Sequence, residues 1–231
     1  MSFDELNINE NILRGVYAHG FEKPSQIQTQ SIPIILSGKD VVAQAQSGTG
    51  KTGAFSIGNL CMIDESVSKI QSIIIVPTRE LADQVFKIIK DLSSYTKITI
   101  LKVIGGTNVG ECQRELNKDP HIVVGTPGRI LDMINKRNLP TQDIKMLTLD
   151  EADEILSQGF KDDIHDIIQM LSKDTQICLF SATLPDEILE LTDKFMNEPH
   201  KVLVKKEALT LEGIQQFFVN VKHNDWKYDV I

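Results

Sequence analysis

Cysteine is scarce in this chain. Its 231 residues include three, Cys61, Cys112 and Cys178, an odd number without metal-ligand spacing, which argues against a disulfide scaffold or a structural zinc site. Reduced, buried thiols in an intracellular protein are the expectation. No apolar run approaches the roughly 20 residues that span a bilayer, so no membrane partner is expected. The first ten residues are polar and acidic and do not read as a secretory signal. Internal repeats and low-complexity tracts are also missing. Positive charge is short overall: the net charge is −8 and the pI about 5.2, which argues against coating nucleic acid through bulk electrostatics. The shortage is uneven. Residues 73–137 hold ten Lys and Arg against seven acids, and the rest of the chain 14 against 25. Solvated helix faces are the plain explanation of that local excess.

Hydrophobic content of 41% and charged content of 24% suit a globular chain with a real core. Short β-branched runs alternate with helical patterns. Strands are expected at Val41–Gln44, Ser72–Val76, Ile98–Ile104, His121–Val124, Met146–Leu149, Ile177–Phe180 and Val202–Val204. Helices are expected over Gly53–Ile63, over Arg79–Tyr95 with its apolar residues at helical period, and after Pro185. This alternation predicts an α/β fold: a mostly parallel central sheet with helices on both faces. Ligands of such sheets bind beyond the C-terminal ends of the strands, so chemistry is expected in the loops just after each apolar run.

Those loops carry it. After Val41-Val42-Ala43 comes Ala45-Gln46-Ser47-Gly48-Thr49-Gly50-Lys51-Thr52, small residues whose N–H groups can converge on phosphate oxygens. Lys51 supplies charge for the β/γ-phosphates and Thr52 a hydroxyl for Mg²⁺. A helix starting here would point its positive end at the same anion. A plain Gly/Ser turn is the alternative reading. After Met146-Leu147-Thr148-Leu149 comes Asp150-Glu151-Ala152-Asp153. A carboxylate in that place holds Mg²⁺ in P-loop enzymes, and Glu151 is placed to orient or deprotonate water. Taken singly, Asp150 and Asp153 would also serve as helix N-caps.

The string Asp150-Glu151-Ala152-Asp153 resembles the signature of the DEAD-box RNA helicases, and the other motifs of that family follow in its order. Gly20–Gln28 is similar to the adenine-recognising Q motif, with Phe3 at the place of the isolated upstream aromatic. Pro77-Thr78-Arg79-Glu80-Leu81-Ala82, Gly105-Gly106 and Thr126-Pro127-Gly128-Arg129 resemble the RNA-contacting motifs. Ser181-Ala182-Thr183 resembles the motif that links hydrolysis to strand separation. Leu149–Phe160 and Val204–Gly213 look most like the branch containing the helicase of the eukaryotic cap-binding translation initiation complex.

The resemblance implies a RecA-like P-loop domain over residues 1–206, with 207–231 as an interdomain linker and the start of a second, similar domain that does not follow. It implies ATP and Mg²⁺ as cofactors, with Lys51, Asp150 and Glu151 catalytic and Thr52 and Asp150 on the metal. Phe21 would stack on adenine and Gln28 read its edge, while Gln46, Ser47, Gly48, Thr49 and Gly50 line the phosphates. Single-stranded RNA would lie on Pro77, Thr78, Arg79, Gly105, Gly106, Thr126, Gly128 and Arg129, and Asp153, Ser181 and Thr183 would couple the two sites. Glycines, hydroxyls and arginines suit phosphate and 2′-OH contacts, which position a strand without reading it. As plain structure, Gln28 would be a surface glutamine, Arg79 an exposed helix-start residue and Thr183 an N-cap. A monomer is expected, cytoplasmic in preference to nuclear with that choice left open, and relatives imply a helical-repeat scaffold protein as partner of the full-length protein. ATP-dependent unwinding of RNA is the expected activity, nearly absent from this unit alone because the family's second domain carries the arginine fingers. An ATP-gated RNA clamp and a DNA-directed P-loop motor are the rival readings.

Overall fold

The computed structural model describes residues 1–203. Seven strands, β1 Val41–Gln44, β2 Ser72–Ile75, β3 Ile100–Val103, β4 Ile122–Gly125, β5 Met146–Leu149, β6 Gln176–Ser181 and β7 His200–Leu203, form one sheet in the order β3-β4-β2-β5-β6-β1-β7. Every pairing is parallel. A 3-10 turn, Phe3–Leu6, precedes nine helices among the described residues: α1 Glu10–Ala18, α2 Gln26–Leu36, α3 Lys51–Met62, α4 Arg79–Leu92, α5 Val109–Leu116, α6 Pro127–Asn135, α7 Ala152–Ser157, α8 Lys161–Gln169 and α9 Asp186–Phe195. None is long and apolar enough to cross a membrane.

Alternate residues of each strand face opposite sides of the sheet, so two cores form. Ile74, Val124, Met146, Cys178 and Phe180 pack with Phe3, Phe55 and Ile89 on one side. On the other, Ile73, Ile75, Val123, Leu147 and Leu179 pack with Ile130, Ile164 and Leu191. Both faces of the central strands are buried, hence their continuous apolar runs.

The expected elements are present, with adjusted ends. β3 is shorter than Ile98–Ile104 because the Ile98 and Thr99 N–H groups bond to Thr96 Oγ1 and His121 Nδ1. α4 stops at Leu92 rather than Tyr95, where Ser93 Oγ bonds back to the Lys90 carbonyl and Thr96 Oγ1 to that of Ser93; such local bonds compete with the helix. α3 starts at Lys51, two residues earlier than expected, because Gly50 at φ 99° makes the turn, a conformation glycine adopts without strain. Val204 and the expected linker and second-domain start, residues 207–231, lie outside the described residues.

Candidate functional site

Strand order sorts the loops. β1, β6 and β5 are neighbours, and after them come the Lys51 loop, Ser181–Thr183 and Asp150–Asp153. β2, β4 and β3 are the adjacent trio on the other side, followed by Pro77–Ala82, Thr126–Arg129 and Gly105-Gly106. All six groups therefore lie at one sheet edge, in two adjoining territories.

In the first territory Lys51 opens α3 with only 4% of its surface exposed, and its Nζ lies 2.9 Å from Glu151 Oε2. Glu151 stands in the left-handed region at φ 49°, ψ 51°, which costs a non-glycine residue about 1–2 kcal/mol. That conformation turns its carboxylate back across β6 to Lys51. Asp150 is buried beside them and accepts the Glu151 N–H at 3.0 Å. Burial pushes its carboxyl up to about 7, with Lys51 opposing the shift and Glu151 adding to it. Buried Asp150, once it gives up that proton, and the half-buried Thr52 hydroxyl are hard oxygen donors of the kind that Mg²⁺ takes alongside substrate phosphates.

Gln28 and Phe21 brace the loop from outside. Gln28 is 5% exposed; its Nε2 donates to the Gly50 carbonyl at 3.1 Å and its Oε1 accepts from Ser25 N at 2.9 Å. A Cβ on Gly53 would fall 2.6 Å from Gln28 Nε2 and 3.0 Å from the Phe21 ring, so glycine is what admits these two side chains. Phe21 stacks on Phe3 with centroids 6.3 Å apart and planes 17° off parallel. Gln46, Ser47 and Gly48 are exposed at the loop tip; Thr49 Oγ1 bonds to the Gln46 carbonyl at 2.7 Å.

Asp153 links β5 to the loop after β6. Its Oδ2 accepts from Thr183 N at 3.0 Å and from Thr183 Oγ1 at 2.7 Å, and its own N–H donates to Ser181 Oγ at 3.2 Å. Burial works against its charge, yet the Thr183 and Ser181 hydroxyls and two backbone N–H groups hold its carboxyl below the ordinary value. Thr183 is therefore not a helix cap: Pro185 occupies that position in α9.

In the second territory Pro77, Thr78, Arg79, Glu80, Gly105, Thr126, Gly128 and Arg129, with Phe160, line a cleft of about 480 Å³. α4 and α6 both start at its wall, so two positive helix ends face it. Thr78 caps α4 through Leu81 N at 3.2 Å. The Arg79 guanidinium lies over Gly105 and Gly106; a Cβ on Gly106, at φ 83°, would sit 2.5 Å from Arg79 Nη1. Arg129 donates to the Thr107 hydroxyl at 3.2 Å and to its carbonyl.

Two side chains here were given no role by the sequence motifs. Gln44 Nε2 donates to the Ala182 carbonyl at 3.1 Å and joins the end of β1 to the Ser181–Thr183 loop; a polar residue ending an apolar strand was the available signal. Phe160, after Gly159 at φ 89°, lines the arginine cleft from a turn that sequence spacing left unassigned.

Comparison with known proteins identifies the family. The family model of the DEAD/DEAH box helicase matches residues 25–191. The ATP-dependent RNA helicase eIF4A of Mycosarcoma maydis is 53% identical over 230 residues, and the Caenorhabditis elegans eukaryotic initiation factor 4A is 51% identical. These matches take in 100% of the chain but 56% and 57% of the relatives, so the chain spans a little over half their length. A DEAD box protein from the hyperthermophile Methanococcus jannaschii superposes with a TM-score of 0.85 at 44% identity, covering 87% of this chain and 55% of that one. Saccharomyces cerevisiae Dbp5 bound to RNA and ADP BeF3 gives 0.85 at 35% identity, covering 93% and 55%. On sequence, fold and the arrangement of its loops, the chain belongs to the DEAD/DEAH box helicase family, and within it is eIF4A-like.

Proposed function

We propose that this chain is the N-terminal, nucleotide-binding unit, residues 1–206, of an ATP-dependent RNA helicase that works in translation initiation. One observation supports it most: Lys51, Glu151 and buried Asp150 converge at the end of β5 and β1, where a triphosphate would sit. Adenine stacks on Phe21 and meets the Gln28 amide, which has a donor and an acceptor lone pair to spare. Backbone N–H groups of Gln46–Gly50 and the start of α3 take the phosphates. Lys51 then exchanges Glu151 for the phosphate oxygens. This frees the Glu151 carboxylate to orient water and accept its proton. Thr52 and Asp150 would hold Mg²⁺, which neutralises charge on the β/γ-oxygens.

RNA lies along the cleft of Arg79 and Arg129, its phosphates meeting the two helix ends. The Asp153–Thr183 hydrogen bonds carry nucleotide state toward that strand. Dbp5 takes RNA together with ADP BeF3, and in another structure the partners Gle1 and Nup159. For the full-length form of this chain we infer single-stranded RNA and a helical-repeat scaffold as partners. This unit alone should hydrolyse ATP slowly, since an arginine finger is worth about 10³–10⁵ in rate and the family resemblance puts it in a second domain.

Calorimetry with a nonhydrolysable ATP analogue tests the reading. Lys51→Ala should weaken binding by roughly 10-fold or more, as expected when a charge-assisted contact of about 1.5–3 kcal/mol is lost. Unchanged affinity would overturn it, as would turnover by this chain at the rate of a full-length relative.

A further inference from the structure

A polar cluster lies deep between α3 and the sheet, away from any ligand-facing loop. Asn59 is 0% exposed on α3, eight residues and therefore about 12 Å beyond Lys51. Its Nδ2 donates to the Phe55 carbonyl at 2.8 Å and to Thr148 Oγ1 at 2.9 Å, and its Oδ1 accepts from Ser72 Oγ. Thr148 and Ser72 are as fully buried as Asn59. One side chain thus ties α3 to β5 and β2, which are themselves paired. Each of the three elements ends at the site: α3 begins at Lys51 and Thr52, β5 runs into Asp150 two residues past Thr148, and β2 runs into Pro77.

Around this cluster the α3 interface is Phe55, Leu60, Ile74, Met146 and Phe180. Apolar packing is non-directional and tolerates small slides of a helix along a sheet. Hydrogen bonds in a dry interior are not so tolerant, because they weaken steeply with length and angle and an orphaned partner costs about 1–3 kcal/mol. A network with every amide hydrogen used is therefore suited to defining where α3 stands along β5.

We infer that Asn59 is a positioning residue for magnesium–nucleotide binding. Its bonds to Thr148 and Ser72 set the height of Lys51 and Thr52 on α3 relative to Asp150 at the end of β5, and so how well Thr52 and Asp150 would together hold a metal. The inference rests on the nucleotide reading above. It predicts that loosening the network degrades the metal-dependent part of binding and spares contacts made within the loop alone.

The test measures affinity for the nonhydrolysable ATP analogue with Mg²⁺ and with EDTA, next to a thermal melt, for this chain and four variants. Thr148→Val removes the hydroxyl at nearly constant volume. Asn59→Ala/Ser72→Ala/Thr148→Val removes all three polar groups, leaving none orphaned. Thr148→Ser keeps the hydroxyl, and Lys51→Ala is the control for the site itself. Thr148→Val and the triple variant should lose about 3- to 10-fold of the Mg²⁺ enhancement, somewhat less than ligand-orienting groups next to a metal. Their EDTA affinity should stay within about 2-fold, and Thr148→Ser, though less stable for its lost buried methyl, should keep the wild-type Mg²⁺ enhancement. A purely stabilising network would lower the melting temperature and leave the enhancement intact; that result in either folded variant overturns the inference while Lys51→Ala still weakens binding. If Lys51→Ala changes nothing, the nucleotide reading fails first and takes this inference with it.

Discussion

Replacing Glu151 with Gln separates what the ion pair does for the free protein from what it does for the ligand. In the free protein Glu151 is the partner of Lys51 at 2.9 Å, with side-chain exposures of 18% and 4%. Removing one member of a buried pair costs about 3–5 kcal/mol. Asp150 beside the same ammonium, and water reaching the Glu151 side, should reduce this to about 1–3 kcal/mol. At about 2–4 °C per kcal/mol for a domain of this size, the melting temperature should fall by roughly 3–10 °C. In the proposed bound form Lys51 faces phosphate and does not use this pair. Free energy lost only by the unliganded state returns as affinity, so about 1 kcal/mol would tighten nucleotide binding roughly 5-fold. Thermal melts and calorimetry with the nonhydrolysable analogue read the two effects, and both must appear. Glu151→Gln in a Lys51→Ala background should then cost almost no stability. Unchanged stability of the single variant, or weaker nucleotide binding, would refute the exchange of Lys51 between Glu151 and phosphate.

Asp150 gives a pH signature. Its folded carboxyl is raised to about 7 from an ordinary value of 3.8, so the folded state holds a proton that the unfolded chain has released. Its contribution to stability is full below about pH 4 and is lost as pH rises through 7; Asp150→Asn should flatten that part of the profile in nucleotide-free, metal-free melts. Because a metal held by Asp150 would displace this proton, Mg²⁺ enhancement of nucleotide affinity should grow between about pH 6 and 8, which calorimetry at several pH values would show. Gly106→Ala would push its Cβ into the Arg79 guanidinium at a backbone φ of 83°. It should weaken RNA binding about as much as Arg79→Ala and lower the salt slope by about one, with nucleotide affinity unchanged. Gly125→Ala would place a Cβ 2.2 Å from the Val103 carbonyl and 2.8 Å from Ile130. It should destabilise the fold by about 2–3 kcal/mol, seen as a lower denaturant midpoint.

Most strands and the loops that follow them could be read directly, because a strand buried on both faces must be continuously apolar and its chemistry must wait for the exposed end. Ends of elements were less readable. Ser93, Thr96 and His121 redirect single backbone groups through side-chain bonds, and no hydrophobic period records that. Phe160 and Gln44 are hard to read for a related reason: each acts by what stands opposite it, in the case of Gln44 across 138 residues of chain. Gln28 looked like a surface residue with a ligand's role; in the structure it is buried against Gly50. Asn59, Ser72 and Thr148 carried no signal at all, since three polar residues scattered through apolar runs reveal a network only when the runs are packed together.

The chain's own order of residues determined the class of fold and carried the motifs from which the candidate site is read, because periodicity and short-range spacing are local properties. It left open which strands would be neighbours. The arrangement β3-β4-β2-β5-β6-β1-β7 is the choice of tertiary packing, driven by burying two cores at once. That choice brings Lys51 to Glu151 across 100 residues of sequence and collects the arginine loops on the other half of the same edge.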